Sequence, residues 1–182
     1  RSQLIDVEFH DEIEIIGKEA FSGCSSLRKA KLLGIKIIKE KAFYECIELT
    51  DVEFCDELET IGNRAFYKCT SLKKMTMPSI RTIGERAFYC CLDVSNVECG
   101  EGLETIARDA FNGCTSLSRI ALPLKDDMIA DSISVEGGGI IINDAFCFCV
   151  SLNSVDLVGG IHNTVASLHL ESWRNEMMDE IN

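Results

Sequence analysis

The sequence predicts an α/β repeat solenoid, because one short pattern of apolar residues recurs along most of the chain. The clearest copy runs from Ile61 to Met77, and its apolar positions are Ile61, Ala65, Phe66, Cys69, Leu72, Met75 and Met77. The alanines of the Ala-Phe pairs stand at 20, 42, 65, 87, 110 and 145, so the steps are 22, 23, 22, 23 and 35 residues. A nearly constant period of this length is typical of a solenoid.

Each copy is called a unit, and the six units begin at isoleucines 16, 38, 61, 83, 106 and 141. One unit is too short to bury its own apolar residues, so it needs neighbours on both sides. The Leu-x-x-φ-x-φ part, where φ is apolar, predicts a short strand with its apolar residues inward. Such strands should stack in parallel about 4.8 Å apart. The Ala-Phe-x-x-Cys part then returns the chain on the opposite side.

The repeats divide the chain into a solenoid over 1–158 and a different segment over 159–182. An insertion at about 123–139 explains the long last step and is either a binding loop or a tolerated addition. Residues 159–182 are predicted to form a linker and an amphipathic helix, whose apolar face carries Leu170, Trp173, Met177 and Ile181. This helix is either a cap on the last unit or a surface for self-association. The helical pattern reaches Asn182 without a stop signal, which predicts a truncated chain.

Six of the ten cysteines occupy one repeat position and are predicted to form a structural ladder: Cys24, Cys46, Cys69, Cys91, Cys114 and Cys149. A buried thiol can fill a turn and contact a backbone carbonyl. Parallel Cβ directions disfavour disulfides between neighbouring rungs, so we expect reduced thiols. Reduced thiols and the lack of a visible signal peptide favour an intracellular location, with the extracellular surface as the alternative.

The remaining chemistry-bearing residues give no catalytic or metal-binding pattern. Cys55, Cys90 and Cys147 lie off the ladder and lack C-x-x-C spacing, so no metal site and no cofactor are predicted. The histidines are scattered, and no nucleophile, phosphate-loop or dinucleotide motif is present. We therefore expect a protein that is not an enzyme.

The charge of the chain is acidic and unevenly distributed. Net charge is -12 overall, with -4 up to Leu122 and -8 from Pro123 onward. An acidic surface disfavours nucleic acid as a partner. The chain has no run of 18 apolar residues, so membrane insertion is not expected.

Outward positions of successive strands should become cross-strand neighbours with alternating charge. One such column begins Asp6, Lys29, Asp51, and the next begins Glu8, Lys31, Glu53. Opposite charges on neighbouring strands can fix which unit lies beside which. The alternative interpretation is that these columns form a charged recognition surface.

All three tyrosines follow the phenylalanine of consecutive units and should form a line on the solenoid: Tyr44, Tyr67 and Tyr89. Partly exposed tyrosines suit a contact surface, whereas packing between units is the alternative. The flanking cations Arg64, Lys68 and Arg86 would suit an acidic partner.

Two segments, IGNRAFYKCTSLKKMTMP and IARDAFNGCTSLSRIALP, resemble the BspA-like leucine-rich repeats, whose units read roughly I-G-x-x-A-F-x-x-C-x-x-L-x-x-I-x-L-P. The resemblance covers about Leu4 to Val158. It implies a right-handed, curved solenoid with parallel strands on one face and a role in adhesion or protein recognition.

These observations predict a non-catalytic scaffold that binds another protein through one face of the solenoid. A cell-surface adhesin or ligand-binding ectodomain is the first alternative. A thiol-based redox or metal-binding protein that uses Cys55, Cys90 or Cys147 is the second.

Overall fold

The computed structural model describes residues 4–123 and 144–158. They contain twelve strands and one 3-10 turn, Asp144–Phe146. The longer strands are β1 Asp6–Phe9, β3 Lys29–Leu32, β5 Asp51–Phe54, β7 Lys74–Met77, β9 Asn96–Cys99, β11 Arg119–Pro123 and β12 Ser154–Val158. The two-residue strands are β2 Ile15–Ile16, β4 Ile37–Ile38, β6 Thr60–Ile61, β8 Thr82–Ile83 and β10 Thr105–Ile106.

The predicted solenoid is confirmed, because the strand pairs described within each sheet are parallel and join successive units. The longer strands form one face, called the long-strand face, and the two-residue strands form a second sheet, called the short-strand face. The Ala-Phe-x-x-Cys segments form the third side, called the turn face. The described ranges contain no α-helix. The predicted C-terminal helix at 159–182 lies outside the described residues.

The register of the long-strand face confirms the predicted outward columns, except between β5 and β7, which do not pair. Lys29 lies between Asp6 and Asp51, and Lys31 lies between Glu8 and Glu53. The ammonium group of Lys31 is 3.7 Å from the carboxylate of Glu8, and both side chains are about half exposed. Such exposed pairs contribute little stability, so the columns mainly set register.

The core is a stack of phenylalanine rings that runs along the solenoid. Neighbouring rings from Phe21 to Phe146 have centroids 5.0 to 5.4 Å apart and planes within 11° of parallel. The four middle rings, Phe43, Phe66, Phe88 and Phe111, are fully buried. In the first complete unit Phe21 is only half buried and Ala20 is exposed, because no described unit covers that side.

The long-strand face is interrupted between β5 and β7, which are neighbours but do not pair. The same two units stay joined elsewhere: the amide of Phe43 donates to the carbonyl of Ala65 at 2.7 Å, and β4, β6 and β8 pair without a break. At the interruption Val52 and Phe54 are half buried, whereas the equivalent Met75 and Met77 in β7 are fully buried. Phe54 stands edge-on to Phe66, with ring centroids 5.7 Å apart.

Candidate functional site

The turn face is held in register by amide groups that all point toward the following unit. In the third unit the amides of Arg64, Phe66 and Lys68 donate to carbonyls one unit further on, at 2.9, 2.8 and 2.8 Å. The amides between them donate within the unit, as that of Ala65 does to the carbonyl of Gly62 at 3.2 Å. Left-handed backbone at Arg64 and Lys68, both with φ of 56°, accompanies this alternation of directions. Because every unit repeats the arrangement, equivalent side chains form straight columns on this face.

The three tyrosines form one of these columns, called the tyrosine column: Tyr44, Tyr67 and Tyr89. Ring centroids of Tyr44 and Tyr67 are 4.9 Å apart, those of Tyr67 and Tyr89 are 5.0 Å apart, and the planes differ by 2° and 8°. All three side chains are half buried. The rings therefore hold one another upright, and each tyrosine keeps part of its surface exposed.

A second column runs beside the tyrosines and consists of the residues that precede alanine in the same three units. It is called the cation column, and its members are Lys41, Arg64 and Arg86. Between the two columns lies a groove of about 410 Å³, called the tyrosine groove. Besides the six column residues, its lining includes Asp109 and Asn112 from the fifth unit.

The far end of the groove is closed by a buried carboxylate. Asp109 has 8% of its side chain exposed, and its Oδ2 is 2.9 Å from Nη2 of Arg86. Nε of Arg86 donates to the same oxygen at 3.0 Å, and the amide of Asn112 donates to the other carboxylate oxygen at 2.9 Å. Asp109 is thus fully paired, which is what burial of a charge requires.

Lys68, which the sequence predicted beside the tyrosines, is in contact with them but does not line the groove. Its ammonium group is 5.4 Å from the centroid of the Tyr67 ring and 3.8 Å from the carboxylate of Glu45. A cation over a ring face is attracted to it electrostatically. Lys68 therefore stabilises the tyrosine column through its contact with the Tyr67 ring.

Two tyrosine hydroxyls are harder to ionise than usual. The pKa of Tyr44 is raised chiefly by partial burial and then by Glu45, and that of Tyr89 is raised chiefly by Cys90 and then by burial. Their hydroxyls therefore stay protonated at neutral pH, and each already interacts with the residue that follows it, that of Tyr44 with Glu45 and that of Tyr89 with Cys90.

The ladder cysteines connect each unit to the preceding one. The thiols of Cys46, Cys69, Cys91, Cys114 and Cys149 donate to the carbonyl of the phenylalanine one unit earlier, at 3.1 to 3.2 Å. All ten cysteines of the chain lie in the described ranges and carry free thiols. Burial raises the pKa of Cys46 and Cys149 to about 12, and it also raises that of Cys69 well above its ordinary value. These thiols are therefore poor nucleophiles.

The cysteines outside the ladder do not come together. The thiol of Cys55 donates to the carbonyl of Ile35 at 3.0 Å, and that of Cys90 lies on the turn face over Gly113. Within residues 4–123 and 144–158, no group of three or more His, Cys, Asp or Glu side chains is arranged to hold a metal ion.

The structure brings most of the predicted contact residues together and adds others. The three tyrosines, Arg64 and Arg86 line one groove, while Lys41, Asp109 and Asn112 are lining residues that the sequence reasoning missed. Lys41 could have been found, because it precedes the alanine of the unit that carries Tyr44. The helix face of Leu170, Trp173, Met177 and Ile181 and the insertion at 123–139, beyond Pro123, lie outside the described residues.

Parallel strands stacked at a period of 22 to 23 residues, over a phenylalanine core with a recurring cysteine, define a leucine-rich-repeat solenoid. The sequence profile of a family described as "BspA type Leucine rich repeat region" matches residues 36–136, with six copies. This span is more than half of the chain, although it is narrower than the resemblance seen in the sequence. The chain belongs to the BspA-type leucine-rich-repeat family.

Several solved structures share the fold. A leucine-rich-repeat protein of T. pallidum is 25% identical with a TM-score of 0.71, over 85% of this chain and 70% of that one. A leucine-rich-repeat protein of Bacteroides ovatus is 26% identical with a TM-score of 0.58, over 82% of this chain and 36% of that one. The pneumococcal vaccine antigen PcpA is 18% identical with a TM-score of 0.63, over 85% of this chain and 42% of that one. This chain therefore spans less than half the length of the latter two.

Comparison with curated protein sequences gives no significant match. In the part of the chain that the structure describes, no helix has the length and apolar character needed to cross a bilayer.

Proposed function

We propose that the chain is a protein-recognition module that binds another protein through the tyrosine groove. The observation that carries this proposal is the coincidence of the tyrosine column and the cation column in the same three consecutive units. Each column alone has a structural explanation, since aromatic residues pack between units and charged residues face solvent. Side by side, they combine apolar contact area with hydrogen-bond donors, which is the composition of a binding surface.

The rigidity of the groove favours binding. Stacked rings 4.9 and 5.0 Å apart have little rotational freedom left to lose when a partner arrives. Both columns also project from backbone that is fixed by hydrogen bonds to the next unit, as at Phe66 and Ala87. Preformed aromatic residues of this kind are frequent energetic centres of protein interfaces.

The proposal is tested by immobilising three proteins and comparing the partners that each captures from the native lysate. The intact chain is compared with a Tyr44→Ala, Tyr67→Ala, Tyr89→Ala variant and with a matched control, Thr60→Ala, Thr82→Ala, Thr105→Ala. The control removes a column of equal length from the short-strand face, where Thr60, Thr82 and Thr105 are neighbours in register. Circular dichroism first verifies that both variants remain folded.

We expect a specific partner to bind the intact chain and the threonine variant and to be lost with the tyrosine variant. Equal capture of the partner by all three proteins would show that the partner does not bind through the groove. A fourth protein, ending at Gly160, tests the predicted C-terminal helix separately. A partner, or a second copy of the chain, that is lost only on this truncation would assign assembly to residues 161–182 and count against the groove.

A further inference from the structure

We infer that the groove binds an extended acidic segment of the partner and that Arg64 is the residue that contacts its carboxylates. This inference rests on the proposed function and adds the chemistry of the ligand. It follows from how the charges of the cation column are already used within the protein.

The cation column has defined ends. Along the turn face, the residue that precedes alanine is Glu19, then Lys41, Arg64 and Arg86, and then Asp109. Three cations are therefore bounded by one acid on each side. The tyrosines occupy the same three units as the cations, whereas the equivalent positions in the neighbouring units are Ser22 and Asn112. The combined surface is thus limited to three units.

The two outer cations are already paired. Arg86 contacts Asp109 at 2.9 Å and Glu85 at 3.1 Å, so its guanidinium faces two carboxylates. The ammonium group of Lys41 is 3.6 Å from Glu19 and 3.9 Å from Glu40. A ligand that bound either of these cations would have to compete with a carboxylate in place.

Arg64 differs, since its side chain forms no hydrogen bond or ion pair with any side chain in the described ranges. The positive charge of Arg64 also lowers the pKa of Glu40 from a longer distance. The largest cause of that lowering is the hydrogen bond between Glu40 and Lys18, and Arg64 is the smallest. The side chain is half buried beside Tyr67. A half-buried guanidinium with open donors recognises carboxylates more strongly than a fully solvated one.

The backbone conformation of the cation column is that of the repeat. Lys41, Arg64 and Arg86 all adopt left-handed backbone, with φ of 55°, 56° and 54°. Glycine adopts this conformation without strain, and it fills the second left-handed position of the turn face at Gly23 and Gly113. Glu19 and Asp109, which end the column, have φ of 57° as well, so this backbone positions the cations but does not distinguish them from the acidic residues beside them.

The size of the groove fits a short run of acidic residues. Two steps of 4.9 and 5.0 Å separate the first tyrosine from the third. An extended chain advances about 3.3 Å per residue, so three to four residues of a partner span this length. Carboxylates two residues apart would lie on one side of the segment and reach Arg64 together with one neighbouring unit.

The test measures binding of a fluorescein-labelled hexaglutamate peptide by fluorescence anisotropy at low ionic strength. A labelled hexaglutamine peptide serves as the neutral control. The proteins are the intact chain, Arg64→Gln, Tyr67→Ala and Arg81→Gln. Arg81 is the matched arginine, because it is exposed on the short-strand side and paired with Glu104 at 2.9 Å, so its replacement removes the same charge from another face.

We expect hexaglutamate to bind the intact chain and hexaglutamine not to bind. Arg64→Gln should weaken binding at least fivefold, as the loss of a charge-assisted pair does, whereas Arg81→Gln should change it less than twofold. Binding of the intact chain should also weaken as salt is added. Equal effects of the two arginine variants would reveal a general response to net charge and overturn the inference, as would binding of hexaglutamine with the same affinity.

The outcome separates the inference from the proposed function. If a captured partner depends on the tyrosines but binds Arg64→Gln as it binds the intact chain, the groove remains the site and the acidic ligand is wrong. If capture does not depend on the tyrosines at all, the proposed function itself fails.

Discussion

The left-handed positions of the turn face are filled either by glycine or by residues with side chains. Gly113 has φ of 76°, and a Cβ atom built there would lie 3.0 Å from the sulfur of Cys90. Gly17, by contrast, has no left-handed backbone, and a Cβ atom there would meet nothing within 4 Å. Two glycines of one solenoid thus have different reasons to be present.

This difference predicts stability changes of opposite sign. Gly113→Ala should destabilise the fold by about 1 to 2 kcal/mol, because alanine is strained in left-handed backbone. Gly17→Ala should stabilise it by about 0.4 to 1 kcal/mol, because the unfolded chain loses freedom while the folded chain gains no clash. Urea unfolding of both variants measures the two effects. A loss of stability in both would show that Gly17 is constrained by something other than space and φ.

At the scale of the element, the buried thiols of the ladder and of Cys99 in β9 make the fold sensitive to alkali. Burial alone raises the pKa of Cys99 to about 12, and its side chain is 4% exposed. A thiol whose pKa is raised on folding contributes fully to the stability of the fold at pH values below the pKa of the thiol in the unfolded chain, which is near 9. The contribution is lost as pH rises toward 12, because only the unfolded chain can release the proton easily.

We therefore expect the free energy of unfolding to fall between pH 9 and 11 by about 1.4 kcal/mol per pH unit for each such thiol. Cys99→Val should fold normally at pH 7, because it replaces one small apolar side chain by another. It should lose stability less steeply than the intact chain over the same pH range. Urea unfolding at several pH values gives both slopes, and identical slopes would contradict the role assigned to burial of Cys99.

The interruption between β5 and β7 makes a second prediction at this scale. In paired strands the amides at equivalent positions donate to the preceding unit, as that of Asp51 does to Arg28 at 3.2 Å. β7 lacks this pairing with β5. Amides of Lys74 and Thr76 should therefore exchange with deuterium faster than those of Asn96 and Glu98, which lie in the paired strand β9. Equal protection of the two pairs would mean that the strands close in solution.

At the scale of the whole molecule, the interfaces between units are alike, so the array should tolerate an added unit. Tandem duplication of residues 83–105 inserts one unit of 23 residues beside its own copy. We expect a higher unfolding midpoint, because one more interface is buried, and a larger denaturant slope, because more surface is exposed on unfolding. Circular dichroism in urea measures both quantities. An unchanged slope would show that the added unit does not join the cooperative fold.

The repeat architecture could be predicted from the sequence because each unit presents the same apolar positions to its neighbours. Phe66 and Cys69 recur at fixed steps, so their burial follows from the period alone. The lining of the groove was predicted in part, since Tyr67 and Arg64 belong to columns that are visible in the sequence. The burial of Asp109 could not be predicted in this way, because it depends on a pairing with Arg86 one unit earlier. The gap between β5 and β7 could not be predicted either. It lies where Phe54 packs against the next unit, and the repeat period does not describe such packing.

The tyrosine column has a consequence for how the protein absorbs light. Its rings include every tyrosine of the chain and lie nearly parallel at 4.9 and 5.0 Å, so their electronic transitions couple through space. Coupled chromophores in a fixed chiral arrangement give a pair of circular dichroism bands of opposite sign, whereas an uncoupled tyrosine in a folded protein gives a single band. The protein therefore carries its own optical reporter of the groove, and occupancy by a partner can be followed without a label.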